Sequence, residues 1–270
     1  MKEISDSRGR TVSVPANASI MLGLPCYGGQ LQAHTRATIA LLEHVCAHAA
    51  IKLEVIQITN ESLIQRARNT IASAFLTTEH THLFFLDSDI YCPDPWCILE
   101  MVAEGRDVIG GAYPKKEIDW QMVAHAAKAG DLTDLPGHGI VYNANLPLGG
   151  TEYVHGTIRA EDVPTGFLLI KRAVLERMRD ELDIWYNYDG GIGKHYNFFP
   201  CYIEDLPNGQ RTLLSEDWGF CRTWQKLGGQ VWLDMRPRLG HIGPHLFMGP
   251  SMLEWWERAG KAKLGVKDAT

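Results

Sequence analysis

Four short strand-like runs, spaced by stretches of helical periodicity, constrain this chain more than any other feature of its sequence. They are 19–24 (SIMLGL), 53–58 (LEVIQI), 83–86 (LFFL) and 107–113 (DVIGGAY). Short apolar or alternating runs bounded by turn formers read as strands. Between them lie an Ala-rich helical stretch at 34–50 and a segment with Leu63, Ala67, Ile71, Ala74 and Phe75 along one face. Asn60 has the side chain to cap that segment, and a short helix follows Pro95. This alternation predicts an α/β fold with a mostly parallel central sheet flanked by helices. In such sheets ligands lie beyond the carboxyl ends of the strands. That edge receives Pro25-Cys26-Tyr27-Gly28-Gly29 after the first run and Asp87-Ser88-Asp89 after the third.

The flanking regions are less regular. Residues 1–17 read as a loose or edge-lying lead-in, and 115–160 as an irregular insertion over the site. Periodicity returns with a strand at 166–170 and a helix from Ala173. Residues 186–200 are aromatic and glycine-rich, like a binding loop. Residues 201–203 and 211–214 flank Pro207-Asn208-Gly209, a hairpin turn. Ser215 opens a helix with Glu216 and Asp217 in its first turn. A last strand falls at 231–233 and a terminal amphipathic helix at 251–263. With no internal repeat and no long linker, one domain over 1–270 is expected.

A net charge of −6 argues against a chain that coats nucleic acid by backbone charge alone. The six cysteines have no C-x2-C spacing and read as reduced, mostly core thiols in a cytosol. A zinc site at Cys92 and Cys97 has poor spacing and prolines in the interval. The N-terminus has no apolar core of a signal, and no run approaches the length of a membrane span. A cytoplasmic protein is the expectation.

Four fragments could carry chemistry. Asp87-Ser88-Asp89 places two carboxylates, one residue apart, at the end of a buried strand, where they suit a hard divalent cation. Ser215-Glu216-Asp217-Trp218 offers a general base as well as a helix cap. His241, after the last strand, could bring an imidazole back to the metal. Arg66 and Asn69 share a helix face that could reach a base or phosphate, and Arg68 points elsewhere. Taken singly, each has a plain structural reading: an acidic turn, a cap, a loop histidine, a solvated face.

Their order is more telling. The chain resembles the GT-A glycosyltransferases, particularly the family-2-like group and its stand-alone phage- or virus-encoded members. The resemblance runs from about residue 19 to 245. It covers the loop after the first strand, the Gln65-Arg66-Ala67-Arg68-Asn69 helix, the DxD motif Asp87-Ser88-Asp89, the strand 164–172, Glu216-Asp217 and His241. It implies a nucleotide-binding half at about 18–113 and an acceptor-binding half at about 114–270. It implies a nucleoside-diphosphate sugar as donor, with Mn2+ or Mg2+ as cofactor. Asp89 and His241 would be metal ligands, with Asp87 beside the ribose or the metal. Pro25, Tyr27, Gly28, Arg66, Asn69 and Ser88 would hold the donor. Gly166, Trp218 and Lys115 would lie on the acceptor side. Asp217, with Glu216 beside it, would deprotonate the acceptor hydroxyl. The acidic residue that reads the nucleobase is not evident, Glu54 and Gln57 being imperfect fits. A hydroxylated pyrimidine in DNA is one acceptor the resemblance suggests, with Lys115, Lys116, Lys128, Lys171 and Arg172 as a local phosphate-tracking groove. The rival readings are a nucleotidyltransferase, against which the short Gly28-Gly29 loop speaks, and a non-catalytic nucleotide-sugar binding module.

Overall fold

The structure is a computed structural model that describes residues 1–146, 151–187, 193–206 and 209–259. Its main sheet has eight strands: β1 (Ser19–Cys26), β2 (Lys52–Thr59), β3 (His82–Leu86), β4 (Val108–Gly111), β5 (Tyr153–Val154), β6 (Thr157–Ala160), β7 (Phe167–Lys171) and β8 (Val231–Asp234). In space they run β5-β6-β8-β4-β7-β3-β1-β2. The longer helices are α1 (Ala33–His48), α2 (Ile64–Leu76), α3 (Trp96–Glu104), α4 (Trp120–Lys128), α5 (Arg172–Glu181), α6 (Glu216–Lys226) and α7 (Met252–Ala259).

Alternate residues of the central strands serve two separate cores, as the two-residue period of a strand dictates. Phe84, Leu86, Ile109, Leu169 and Trp232 face α1 and α3. Leu83, Phe85, Val108, Leu168, Ile170, Val231 and Leu233 face α2, α5 and α6. With both faces covered, these strands read as continuous apolar runs. Helix α2 forms without a side-chain cap, because its N-cap position is Leu63. Asn60 instead adopts a left-handed φ of 60° at the end of β2, where it serves the turn. A missing cap costs about 1 kcal/mol. Burial of Ile71 and Phe75, both 0% exposed, offsets it at about 1.5–3 kcal/mol each.

The sheet is mixed rather than mostly parallel. Strands β1 and β2, β1 and β3, and β4 and β8 pair in parallel. Strand β7 runs antiparallel to both β3 and β4, and β6 and β5 extend the far side antiparallel. A short apolar strand carries no mark of its direction. The long connection from β4 to β7 allows either, since only a parallel return demands a crossover of a dozen residues. The consequence is local. An antiparallel β7 delivers its first residues, not its last, to the edge where β3 ends.

Two further regions are more ordered than their sequence suggests. The lead-in forms a hairpin, Lys2–Ser5 with Thr11–Val14. Arg10 clamps it to the Asp94 carboxylate through both terminal nitrogens, at 2.6 and 3.0 Å. The region 115–160 contains α4, capped by Asp119, and the paired strands Pro114–Ile118 and Ile140–Tyr142. The hairpin around 207–209 pairs Tyr202–Asp205 with Arg211–Leu214, while Pro207 and Asn208 lie outside the described residues. Five cysteines are buried and Cys201 is exposed. The Cys92 and Cys97 sulfurs lie 3.6 Å apart. Among the described residues no group of three His, Cys, Asp or Glu side chains could hold a metal ion, so the zinc reading gains no support. Nor is any helix among them long and apolar enough to cross a membrane.

His82 opens β3 and is only 5% exposed. Burial, and then the charge of Lys171, depress its imidazole from 6.5 to about 4. The unfolded chain therefore takes up a proton at this position first as pH falls. Stability should be full above pH 6.5 and decline by about 3 kcal/mol as pH falls toward 4. Urea unfolding across that window is expected to show this loss, and to show a smaller one in His82→Gln whatever that variant's stability at neutral pH.

Candidate functional site

The triplet Asp87-Ser88-Asp89 leaves the end of β3 as a loop whose three carbonyls are all bonded. Asp87 O accepts from Ile90 N, Ser88 O from Gln32 N at the start of α1, and Asp89 O from Ile242 N. Asp87 N in turn donates to Gly166 O, the residue before β7. A short strand at Ile90–Tyr91 pairs with Gly240–Ile242 and sets His241 opposite Ile90. These bonds fix the two carboxylates before any ligand arrives.

Asp89 faces two nitrogen-bearing side chains. Lys116 Nζ donates to its Oδ2 at 2.6 Å, and His241 Nε2 stands 3.5 Å from its Oδ1. Burial pushes the Asp89 carboxyl up, but His241 and Lys116 outweigh it and hold the group below its ordinary range. His241 Nδ1 lies 2.9 Å from Pro114 O, a carbonyl that can only accept. Nδ1 therefore donates to that carbonyl, and Nε2 is the ring nitrogen turned toward Asp89.

Asp87 belongs to a different cluster. Both of its oxygens accept from Arg68, at 3.0 and 3.1 Å, and Arg68 Nε donates to Glu216 at 3.2 Å. Arg68 is 4% exposed. Burial works against its charge, but Asp87 and then Glu216 more than reverse the effect and keep it a cation. Gly166 lies directly over this pair. A Cβ there would stand 2.6 Å from the Tyr113 hydroxyl and 2.8 Å from Asp87 Oδ2. Tyr113 is buried, and burial followed by the Asp87 charge raises its phenol, keeping it neutral.

Glu216 and Asp217 occupy the first turn of α6 but do different things. Glu216 is bound to Arg68. Asp217 Oδ1 accepts from the Ser215 hydroxyl and from Trp218 N at 2.9 Å. Among the described residues Asp217 joins no ion pair and its Oδ2 takes no hydrogen bond, which leaves one oxygen for a proton. Trp218 is half-buried beside it.

A cleft of about 200 Å3 runs between Pro25–Tyr27 and Asp87–Asp89, with Ser62 and Glu61 on its far wall. Tyr27 is 74% exposed at its lip, and Gly28 follows with φ 66°. Arg66 does not point into open space. Its guanidinium grips Glu61 at 2.7 and 2.6 Å and so positions that carboxylate in the cleft. Asn69 turns inward instead, donating to Asn197 Oδ1 and accepting from Phe199 N. The two residues on one predicted face thus serve different neighbours.

Sequence reasoning missed Arg68, Glu61 and the Lys116–Asp89 contact. Lys115, the lysine it favoured, is exposed and 3.8 Å from Glu117. The five basic residues read as one groove are divided. Lys116 reaches the candidate site, whereas Lys171 ends β7 at the opposite edge of the sheet, and Arg172 is consumed by the carbonyls of Phe75, Thr78 and His80.

No family model and no curated protein matches the chain. Among solved structures it is similar to A197 from STIV, at 15% identity over 86% of this chain and 95% of that one, with a TM-score of 0.46. It is also similar to a glycosyltransferase involved in the glycosylation of the major capsid of PBCV-1, at 13% identity over 61% and 68%, TM-score 0.31. A third similarity is to UDP-glucose pyrophosphorylase complexed with UDP-glucose, at 8% identity over 83% and 92%, TM-score 0.40. Likenesses this distant assign neither a family nor an activity, so the functional reading rests on the residues themselves.

Removing Arg68 would strand Asp87 and Glu216 without their cation. Arg68→Met should destabilise the fold by about 3–5 kcal/mol in urea unfolding, the usual cost of breaking a buried ion pair from one side. A loss under about 1 kcal/mol would show that the network is dispensable to the fold.

Proposed function

We propose that this chain is a metal-dependent glycosyltransferase that moves a sugar from a nucleoside-diphosphate sugar to an acceptor hydroxyl. One observation carries the reading: Asp89 and His241 Nε2 converge beside Lys116, at the mouth of a cleft built from the loops that end β1 and β3. Two carboxylates alone would repel a diphosphate. An ammonium group with an oxygen–nitrogen pair for a divalent cation attracts one.

The residues fit Mn2+ or Mg2+ in a particular way. Asp89 Oδ1 and His241 Nε2 would be the protein's two ligands, and the donor's diphosphate oxygens and water would complete the shell. When bound, the cation would neutralise charge on the departing diphosphate. Asp87, with both oxygens in the fork of Arg68, stands on the ribose side instead. Glu61, set in the cleft by Arg66, supplies the acidic group for ribose hydroxyls or base nitrogens that the sequence did not reveal. Pro25, Tyr27, Gly28 and Ser88 line the donor's path.

The transfer forms a bond from the acceptor oxygen to the anomeric carbon and breaks the bond from that carbon to the diphosphate. The acceptor proton passes to Asp217 Oδ2, the oxygen that its neighbours leave unbonded. Ser215 and Trp218 N hold the carboxylate in place through Oδ1. Lys116 stabilises the negative charge that develops on the leaving group. Trp218, Gly166 and Lys115 border the acceptor side. The acceptor is to be sought among saccharides, peptides and hydroxymethylated DNA, because a hydroxyl is the one feature the chemistry demands.

Three outcomes follow. Asp89→Ala should lose Mn2+-dependent donor binding and turnover together. Asp217→Asn should keep donor binding within about threefold while turnover falls at least about 100-fold, as for a group acting only in the transition state. Near-normal turnover in that variant would remove Asp217 as the base. With only two protein ligands, Mn2+ should bind weakly alone and tightly once nucleoside diphosphate is present, which titration by electron paramagnetic resonance would read. Equal Mn2+ affinity with and without nucleotide would contradict the two-ligand site.

A further inference from the structure

At the edge of the sheet opposite the cleft, the turn from α3 into β4 and the turn from α6 into β8 enclose a polar pocket of about 300 Å3. Arg106 lines it. Its guanidinium carbon lies 3.5 Å over the ring of Trp232, a residue 2% exposed in the middle of β8. Among the described residues Arg106 makes no hydrogen bond and no ion pair. Its Nε is buried without an acceptor, while the terminal nitrogens are not among the buried unpartnered atoms. Stacking thus fixes the plane of the guanidinium and leaves its donor edge unused.

The charges around it do not cancel. Asp107 also lines the pocket but is bound to Lys171 at 3.0 Å. Arg177, stacked 5.6 Å over Trp224, is bound to Glu181 at 2.7 Å and to Leu227 O. Three cations therefore meet two carboxylates, and the excess charge sits on Arg106. The opposite wall is the backbone of Gly228 and Gly229. A Cβ on Gly229 would stand 2.1 Å from the Trp224 indole, so glycine is required for that wall to close on the ring.

We propose that this pocket binds a small phosphate-bearing anion. A planar guanidinium held by its face and free at its edge suits two parallel hydrogen bonds to phosphate oxygens. Arg177 and Lys171 add field without needing to leave their partners. The guanidinium covers the Trp232 face, so that ring offers no stacking surface. The enclosed volume suits a compact ligand rather than a polymer. The site is independent of the proposed transferase reading, because nothing in it touches the donor cleft.

The test is calorimetric titration with inorganic phosphate, pyrophosphate and a short oligodeoxynucleotide, at constant ionic strength. It compares the intact chain with Arg106→Gln and Lys116→Gln, the second reporting on the donor cleft. Saturable phosphate binding that weakens at least about tenfold in Arg106→Gln and persists in Lys116→Gln is the expected result. Should Arg106→Gln fail to fold, Arg106→Lys, which keeps the charge but loses the fork, takes its place with the same expectation of weakening. The proposal is overturned if no saturable phosphate binding occurs, or if the Arg106 variant binds as tightly as the intact chain. Arg106-dependent binding of the oligonucleotide alone would also overturn it.

Discussion

The candidate site depends on one buried cation. Arg68 joins the end of β3 to the start of α6, residues 19 and 148 positions away in the chain. Taking a guanidinium and two carboxylates out of water is costly, and an apolar cluster of equal volume would often be as stable. What the ion network adds is placement. It fixes the rotamers of Asp87 and Glu216, and through Glu216 the first turn of α6, where Asp217 sits. The ring of Phe85, 5.7 Å from the guanidinium carbon, lines the other side of the cation. The donor-side loop and the acceptor-side helix are thereby held by the same group.

How much of this was legible varies residue by residue. The strand runs were plain because both faces of the central strands are buried, so 83–86 and 108–112 are apolar without interruption. The acidic triplet was plain because it ends such a run. In the sequence Arg68 points away from the face shared by Arg66 and Asn69, and the apolar face reads as Leu63, Ala67, Ile71, Ala74 and Phe75. Yet Arg68 stands three, four and seven residues before Ile71, Ala72 and Phe75, all fully buried, and so lies within the same stripe. That position was the missed signal. Lys115 and Lys116 could not be separated by sequence. Adjacent strand residues point to opposite sides, and only pairing with Ile140–Tyr142 sets which side meets Asp89. Glu61 carried no signal at all, since one glutamate after a strand looks like any loop residue.

The direction of β7 was also hidden, and it matters for chemistry. Running against β3, it brings Gly166 beside Asp87 and carries Lys171 away to the opposite edge. A parallel strand would have reversed these roles and set a lysine where the fit between Tyr113 and Asp87 now leaves no room for even a methyl group.

The pairing of Ile90–Tyr91 with Gly240–Ile242 has a consequence for how the molecule comes into being. Asp89 and its imidazole partner are separated by most of the chain, and β8, which inserts between β6 and β4, also comes late. Contacts of such long sequence separation must close large loops before they return any energy, which slows folding. During synthesis, the segment bearing the acidic triplet leaves the ribosome long before the strands that complete its surroundings. The site is therefore completed last, and a truncated or nascent chain would carry the motif without the groups that surround it.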